Sequence, residues 1–446
     1  MERRGFLRSI AIGSGACLAG CAPEPLPDPE PLPCLREGPQ PSTMLDFPPP
    51  SYFEALGRDL DARGLGNPVA LIDLDRLDAN VDEIASSIAP LTYRIVEKSL
   101  PSIDLLRHVS ERSGSESFLV LHLPFLPPLL SAFPSADVVI GKTHLTRAVA
   151  QLFASLDPSA HADAAARVVF LADTAARVGE LDALADELGV RLRVAVDIDV
   201  GLRRSGVPSP DLLPPVLDAL SASSALEYAG LLGYDGHVAH GPSGAAGIDA
   251  AFTAAMSEYQ AFVDVLADYP TLASRPGLVF QSGGSTTYPL YATNQTPVND
   301  VAAGGGVVRP GDYPDHVISA LSPAIFVASA VLARYEAPLL PFFDEAASAR
   351  VLGDRKGITL HGGGWPSRWS HPPDVRQAAL VSDPTGISLV PNQGLCTAPA
   401  DTPLQVGDWV FQHPRQSDVL FQFETIHLVR GGRLLEETMA AYPRRL

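Results

Sequence analysis

From residue 68 onward the chain alternates short β-rich runs with longer Ala- and Leu-rich stretches, and no other feature restricts its fold as much. The runs fall at residues 69–72, 93–96, 118–121, 138–140, 168–171, 192–196, 228–233 and 278–280. The stretches between them have helical spacing: residues 175–188 set apolar side chains three and four apart with Asp and Glu between. Eight such repeats predict an α/β fold, a parallel (β/α)8 barrel of the TIM type. A doubly wound open sheet has the same periodicity and stands as the alternative. After about residue 315 the texture changes to short β-like runs with Gly and Pro turns, at 349–352, 358–360 and 409–411. The expected layout is a barrel over residues 51–315 and a mostly β domain over 316–446.

The N-terminus reads as an export signal. Arg3 and Arg4 stand directly before Gly5, Phe6, Leu7 and Arg8, the order of a twin-arginine signal, and an apolar stretch follows. That stretch is shorter than the roughly 20 residues a permanent span needs. It ends in Leu18-Ala19-Gly20-Cys21, which resembles the cleavage box of bacterial lipoproteins, so residues 1–20 are expected to be removed and Cys21 acylated. A cut elsewhere, with Cys21 incidental, is the alternative. Residues 22–50 hold 11 of the 42 prolines, a spacing that favours an extended polyproline II tether over 21–50. The expectation is a periplasmic protein that meets the membrane only through its N-terminal lipid.

Loss of the leader takes the net charge from −19 to −21. So acidic a chain lacks the basic patches that bind phosphates by releasing counterions, and nucleic acid is excluded as a default partner. Four Cys with no Cys-x-x-Cys pair exclude a zinc ribbon and a disulfide-dense scaffold. Whether Cys34 and Cys396 pair is left open by the sequence.

In a barrel the chemistry sits at the C-terminal ends of the strands. There the chain offers Glu97-Lys98-Ser99, the stretch from Asp197 to Gly206 with Arg204, Tyr234-Asp235-Gly236-His237, and Ser282-Gly283-Gly284-Ser285-Thr286-Thr287. A lysine desolvated at a barrel mouth has a lowered pKa and can form a Schiff base. The two glycines and three hydroxyls of the last turn suit an anion. Separately, Lys98 reads equally well as a loop lysine and the turn as an ordinary tight loop. Together they are the two anchors that pyridoxal phosphate requires.

With those motifs in order, the sequence resembles the fold-type III pyridoxal-phosphate enzymes, the alanine racemase-like group, and within it the D-threonine aldolase and D-serine dehydratase branch. The carriers run from Asn67-Pro68-Val69 through Arg94-Ile95-Val96-Glu97-Lys98-Ser99, Arg204-Ser205-Gly206 and Gly233-Tyr234-Asp235-Gly236-His237 to Gly283-Gly284 and Val406-Gly407-Asp408 before His413. The resemblance implies Lys98 as the Schiff-base lysine, Gly283, Gly284, Ser285 and Thr286 as phosphate contacts, Arg204 facing the cofactor ring, and Tyr234 and His237 near its face. A salt bridge to Asp197 or Asp199 is the alternative for Arg204.

That branch holds a divalent metal with a C-terminal His and a Cys or Asp two residues later. Here His413 is followed at that spacing by Arg415, whose guanidinium has no lone pair for a metal. A metal site of that design is in doubt, with Asp418 as a substitute ligand beside His413. The expectation is that Arg415 binds the substrate's β-oxygen or carboxylate instead, and the stretch resembles the amino acid deaminase/aldolase group, which has a basic residue in this place. The implied activity is that of a lyase on a small D-3-hydroxy amino acid, with His413 as β-side base and Lys98 as α-side base. A racemase and a non-catalytic cofactor- or amino-acid-binding lipoprotein are the other readings, and a homodimer is compatible with all three.

Overall fold

A computed structural model describes residues 46–240, 244–313, 318–339, 343–362, 365, 367–377 and 393–442. The leader and nearly all of the tether lie outside them, as do Cys21 and Cys34.

Eight parallel strands close into a barrel: β2 (Thr92–Val96), β3 (Ser117–Val120), β4 (Asp137–Ile140), β5 (Val168–Ala172), β6 (Leu192–Asp197), β7 (Leu226–Leu232), β8 (Val279–Ser282) and β9 (Asp300–Ala303). Closure removes every sheet edge and excludes the open-sheet alternative. Inward-facing Leu119, Val139, Val169, Leu171, Ala195 and Ala302 pack the barrel axis, while outward-facing residues such as Ile95, Phe118 and Val138 pack under the helices. The helix Ala175–Leu188 begins and ends where its spacing predicts, capped by the Thr174 hydroxyl accepting from the Arg177 amide at 3.1 Å.

The first strand of the chain corrects the sequence reading. β1 (Val69–Asp73) is not a barrel strand. It lies in the middle of a sheet that has nine strands among the described residues, antiparallel to β10 (Ile325–Tyr335) and parallel to β16 (Thr425–Arg430). All five of its residues are buried, so its apolar run is indistinguishable from that of a barrel strand. The eighth barrel strand is β9, whose short Asp-Val-Ala-Ala sequence carries little apolar signal.

Besides those three strands, the second sheet contains β11 (Lys356–His361), β12 (Ser367–His371), β13 (Arg376–Gln377), β14 (Gln393–Ala398), β15 (Trp409–Pro414) and β17 (Arg433–Ala440). Residues 349–352, expected to be β-like, instead end the helix Glu345–Leu352. Asp344 caps that helix, accepting from the Ala347 amide at 2.7 Å, a local signal that outweighs β-propensity. Cys396 is a free, buried thiol that burial pushes up to about 12.

One polar network ties the barrel shut. Arg94, 1% exposed on β2, reaches Asp300 on β9 at 2.6 Å and Asp137 on β4 at 2.8 Å. It also donates to the Phe118 and Asp137 carbonyls. A buried guanidinium costs several kcal/mol of desolvation unless it is bonded in this way.

Candidate active site at the barrel mouth

Lys98 sits in the single 3-10 turn Glu97–Ser99 that follows β2, half-buried and without an ion pair among the described residues. Glu97 beside it is fully buried, and neither of its carboxylate oxygens completes a well-formed hydrogen bond. Burial pushes its carboxyl up to about 8, only partly offset by the Leu121 backbone amide. Near neutral pH the residue next to Lys98 is therefore largely a neutral acid. The 3-10 segment Ser417–Gln422 packs against this turn and brings Asp418 within electrostatic reach of Glu97 and of His122.

The 283–286 turn follows β8. Gly283 has φ +83°, and a Cβ there would fall 2.7 Å from Val301, so only glycine fits. Ser285 and Thr286 are 8% and 6% exposed. The Ser285 hydroxyl accepts from the Gly304 and Gly306 amides at 3.1 and 2.9 Å, and Tyr313 bonds to it as well. A second glycine turn, 304–306 after β9, thus aims its N–H groups at the first. A Cβ on Gly305 would lie 2.0 Å from the Tyr313 hydroxyl. Sequence reasoning missed Gly304–Gly306 and Tyr313 because it missed β9, although three consecutive glycines were by themselves a usable signal.

On the far arc, β6 ends at Asp197, which is 4% exposed and pushed up to about 6 by burial, with the Ser205 hydroxyl and Arg204 opposing. The loop after it closes on itself through the Asp199 amide to the Val207 carbonyl and the Val207 amide to the Asp197 carbonyl. Arg204 does not pair with Asp197 or Asp199: its guanidinium lies over the Tyr234 ring, 4.9 Å from the centroid. Arg203 takes Asp199 instead, at 3.5 Å. His237 is half-buried, with Nδ1 lacking a partner and its pKa lowered by burial.

The structure brings Lys98, Arg204, Tyr234, His237, Gly283, Gly284, Ser285 and Thr286 to one mouth, since each follows a barrel strand. It places His413 and Arg415 differently from the expectation. His413, 1% exposed on β15, turns Nε2 to the Arg309 carbonyl at 2.8 Å and packs edge-on against Phe47. Arg415 is held by Asp312 at 2.7 Å because residues 311–312 run alongside 414–415. Two further histidines stand at the mouth without having been singled out. His122 after β3 and His144 after β4 each keep one buried ring nitrogen without a partner. Burial and Lys142 lower both, His144 to about 4, so both rings are neutral near pH 7. Among the described residues no group of three or more His, Cys, Asp or Glu is placed to hold a metal ion.

Residues 72–311 match the family described as alanine racemase, N-terminal domain. A curated relative, the 3-hydroxy-D-aspartate aldolase of Paracoccus denitrificans (strain Pd 1222), is 24% identical over 256 residues, 57% of this chain. The match spans 63% of that relative's length, less than two thirds. Among solved structures, D-threonine aldolase from Filomicrobium marinum superposes with a TM-score of 0.65 at 17% identity, covering 84% of this chain and 96% of that one. D-threo-3-hydroxyaspartate dehydratase from Delftia sp. HT23 gives 0.61 at 17% identity over 85% and 98%. Alanine racemase from Bacillus anthracis gives 0.60 at 15% over 84% and 98%. At these identities the structural likeness carries the fold.

Proposed function

The chain belongs to the alanine racemase N-terminal domain family, and from that membership we propose that it is a pyridoxal-phosphate-dependent lyase acting on a small D-3-hydroxy amino acid. The observation that carries this reading is the placement of Lys98 in the turn after β2 and of two facing glycine turns after β8 and β9, with β9 next to β2 around the closed barrel. The aldolase and dehydratase names among the relatives favour a lyase over a racemase.

The residues present fit the cofactor. The Gly304 and Gly306 amides now spent on the Ser285 hydroxyl are the donors a phosphate takes, so the 283–286 and 304–306 turns with Tyr313 would hold that group. Lys98 would hold the aldehyde carbon, with Tyr234 and Arg204 on the ring. When bound, pyridoxal phosphate supplies an electrophilic carbon and an electron sink for bonds at the substrate's Cα.

The chain's own groups then divide the work. Arg204, lying over the Tyr234 ring, would bring positive charge to the cofactor ring and disfavour its protonation. Glu97, held neutral by burial, places no carboxylate charge beside Lys98. The β-hydroxyl proton needs a neutral base on the β3 and β4 side of Lys98, away from the phosphate turns. His122 meets that requirement, whereas Nε2 of His413 is engaged with a backbone carbonyl. Lys98 would take the α-proton where the β-substituent is expelled instead.

The test is purified protein titrated with pyridoxal phosphate, treated with borohydride, and mapped. The reading requires a reducible adduct on Lys98, lost in Lys98→Ala with the thermal midpoint retained, and release of aldehyde or ammonia from D-threonine, D-serine or D-3-hydroxyaspartate. An adduct on Lys142 or Lys356, or inversion of alanine without cleavage, overturns it.

The same reading extends to location. A twin-arginine leader suits a protein that folds before export, and pyridoxal phosphate is made in the cytoplasm, so loading precedes export. Acylated Cys21 and the Pro-rich tether then hold the barrel off the membrane. Replacing Arg3 and Arg4 by Lys should trap the protein in the cytoplasm, and Cys21→Ala should release it from the membrane fraction; normal export or persistent membrane association counts against each.

A further inference from the structure

Behind the 283–286 turn lies a chain of hydrogen bonds centred on Asp235, a residue given no role above. Asp235, at 0% exposure, accepts from the Thr287 hydroxyl at 2.9 Å on one oxygen and contacts the Tyr291 hydroxyl at 2.8 Å on the other. Thr287 in turn accepts from the Gly284 amide at 2.9 Å, which ties Asp235 to the turn. On the other side the chain continues from Tyr291 to the Ser282 hydroxyl at 2.8 Å and from Ser282 to the Gly233 carbonyl at 2.5 Å. Ser282 and Thr287 are also fully buried, and Asp235 has no ion pair among the described residues.

Counting protons along this chain decides the state of Asp235. Three contacts run from its outer oxygen through Tyr291 and Ser282 to the Gly233 carbonyl, which can only accept. The two hydroxyls supply two protons. The third contact is satisfied when the carboxyl itself carries a proton and donates to Tyr291, which donates to Ser282, which donates to Gly233. An ionised Asp235 would leave one of these buried contacts as two facing acceptors, in the position closest behind a turn that is to receive an anion.

We propose that Asp235 is a positioning residue that acts as a neutral carboxylic acid, fixing the Gly283–Gly284 turn through Thr287 so that the turn presents its amides to the phosphate of the cofactor. Burial already pushes its carboxyl up to about 6, and a phosphate seated on the turn moves it further in the same direction. Asparagine reproduces the neutral pattern: its oxygen accepts from Thr287 and its amide donates to Tyr291. This inference rests on the reading of 283–286 as a phosphate turn, and the experiment separates the two.

Wild-type protein, Asp235→Asn, Asp235→Ala and Thr287→Val are titrated with pyridoxal phosphate and with pyridoxal, which lacks the phosphate, and each variant's thermal midpoint is recorded. Wild type should prefer the phosphorylated form. Asp235→Ala and Thr287→Val should each lose about tenfold or more of that preference, a lost buried hydrogen bond, with pyridoxal affinity unchanged. Asp235→Asn should stay within about threefold of wild type. An Asn variant as weak as the Ala variant shows that Asp235 acts as an anion and overturns the inference. Equal loss for both ligands reduces Asp235 to a structural role and overturns it too. Should Asp235→Ala not fold, Thr287→Val, which keeps the shape and removes only the hydroxyl, decides the positional half. If wild type itself shows no preference for the phosphorylated ligand, the phosphate-turn reading fails and takes this inference with it.

Discussion

Arg415 donates through Nε to Oδ1 of Asp312 at 2.7 Å, and the Asp312 amide donates back to the Arg415 carbonyl at 3.0 Å. The guanidinium that was expected to meet the substrate's β-oxygen therefore already has a carboxylate partner. The two side chains are 31% and 20% exposed, so solvent screens the pair and its contribution to stability is small.

Asp312→Ala and Arg415→Ala should each lower stability by no more than about 1 kcal/mol, with the double variant no worse than either single one. A double-mutant cycle in denaturant measures this. If Arg415→Ala alone abolishes turnover while Asp312→Ala leaves it intact, Arg415 works on the substrate after all.

Chelator treatment should leave turnover within about twofold. The reason is chemical: Arg415 stands where a partner ligand for His413 would be needed, and a guanidinium cannot share an ion. Turnover lost to chelator and restored by zinc or manganese would require other ligands, with Asp418 and His413 the first to replace.

Three buried carboxyls each make the cofactor-free protein less stable as pH rises. Glu97 is raised from 4.5 to about 8, and Asp197 and Asp235 from 3.8 to about 6. Each binds its proton more tightly folded than unfolded, so its stabilisation is complete below the unfolded value and is lost as pH rises through the folded one. Below about pH 7 this is opposed by His122, His144 and His237, which burial lowers from 6.5 and which therefore add stability as pH rises, so the net fall in thermal midpoint is expected between about pH 7 and 8. In that window the slope belongs to Glu97, so Glu97→Gln should flatten it; an unchanged slope in the variant refutes the assignment.

Asp300→Ala should destabilise the barrel by about 3–5 kcal/mol, because it removes the carboxylate nearest to Arg94 and leaves a buried guanidinium undercompensated. Chemical denaturation reads this directly. Asp137→Ala should cost less, since that carboxylate is 37% exposed and solvent replaces part of its bond.

His122→Asn should lower kcat on the order of 10² to 10⁴-fold while leaving the affinity for pyridoxal phosphate unchanged, the pattern for a base that acts on substrate and does not hold the cofactor. A matching loss in His413→Asn, with His122→Asn near wild type, would return the β-side role to His413.

Much of this molecule was legible in its sequence. Seven of the eight barrel strands lie where the apolar runs fall, and the residues directly after them are the residues at the mouth, because a parallel strand buried on both faces must be a short continuous apolar run and its C-terminal end must emerge where the next connection begins. The helix Ala175–Leu188 was readable for the same reason: its period and caps are local. So were the two anchors, Lys98 and the 283–286 turn, since their chemistry resides in residue type.

Where the reading failed, the missing information was a partner distant in sequence. β1 reads as a barrel strand until its pairing with β10 and β16 is known, and β9 is invisible until the gap between β8 and β2 has to be closed. Arg204 could have met Asp199 as its neighbour Arg203 does; the loop's closure through Val207 and the position of the Tyr234 ring send it elsewhere. His413 and Arg415 meet Arg309 and Asp312, residues about a hundred positions away that their local sequence does not point to. Residue type and local period limit what each side chain is able to do. Which of those things it does depends on the group opposite it, and a linear chain carries no mark of that until the barrel closes and burial makes every unpaired donor or acceptor costly.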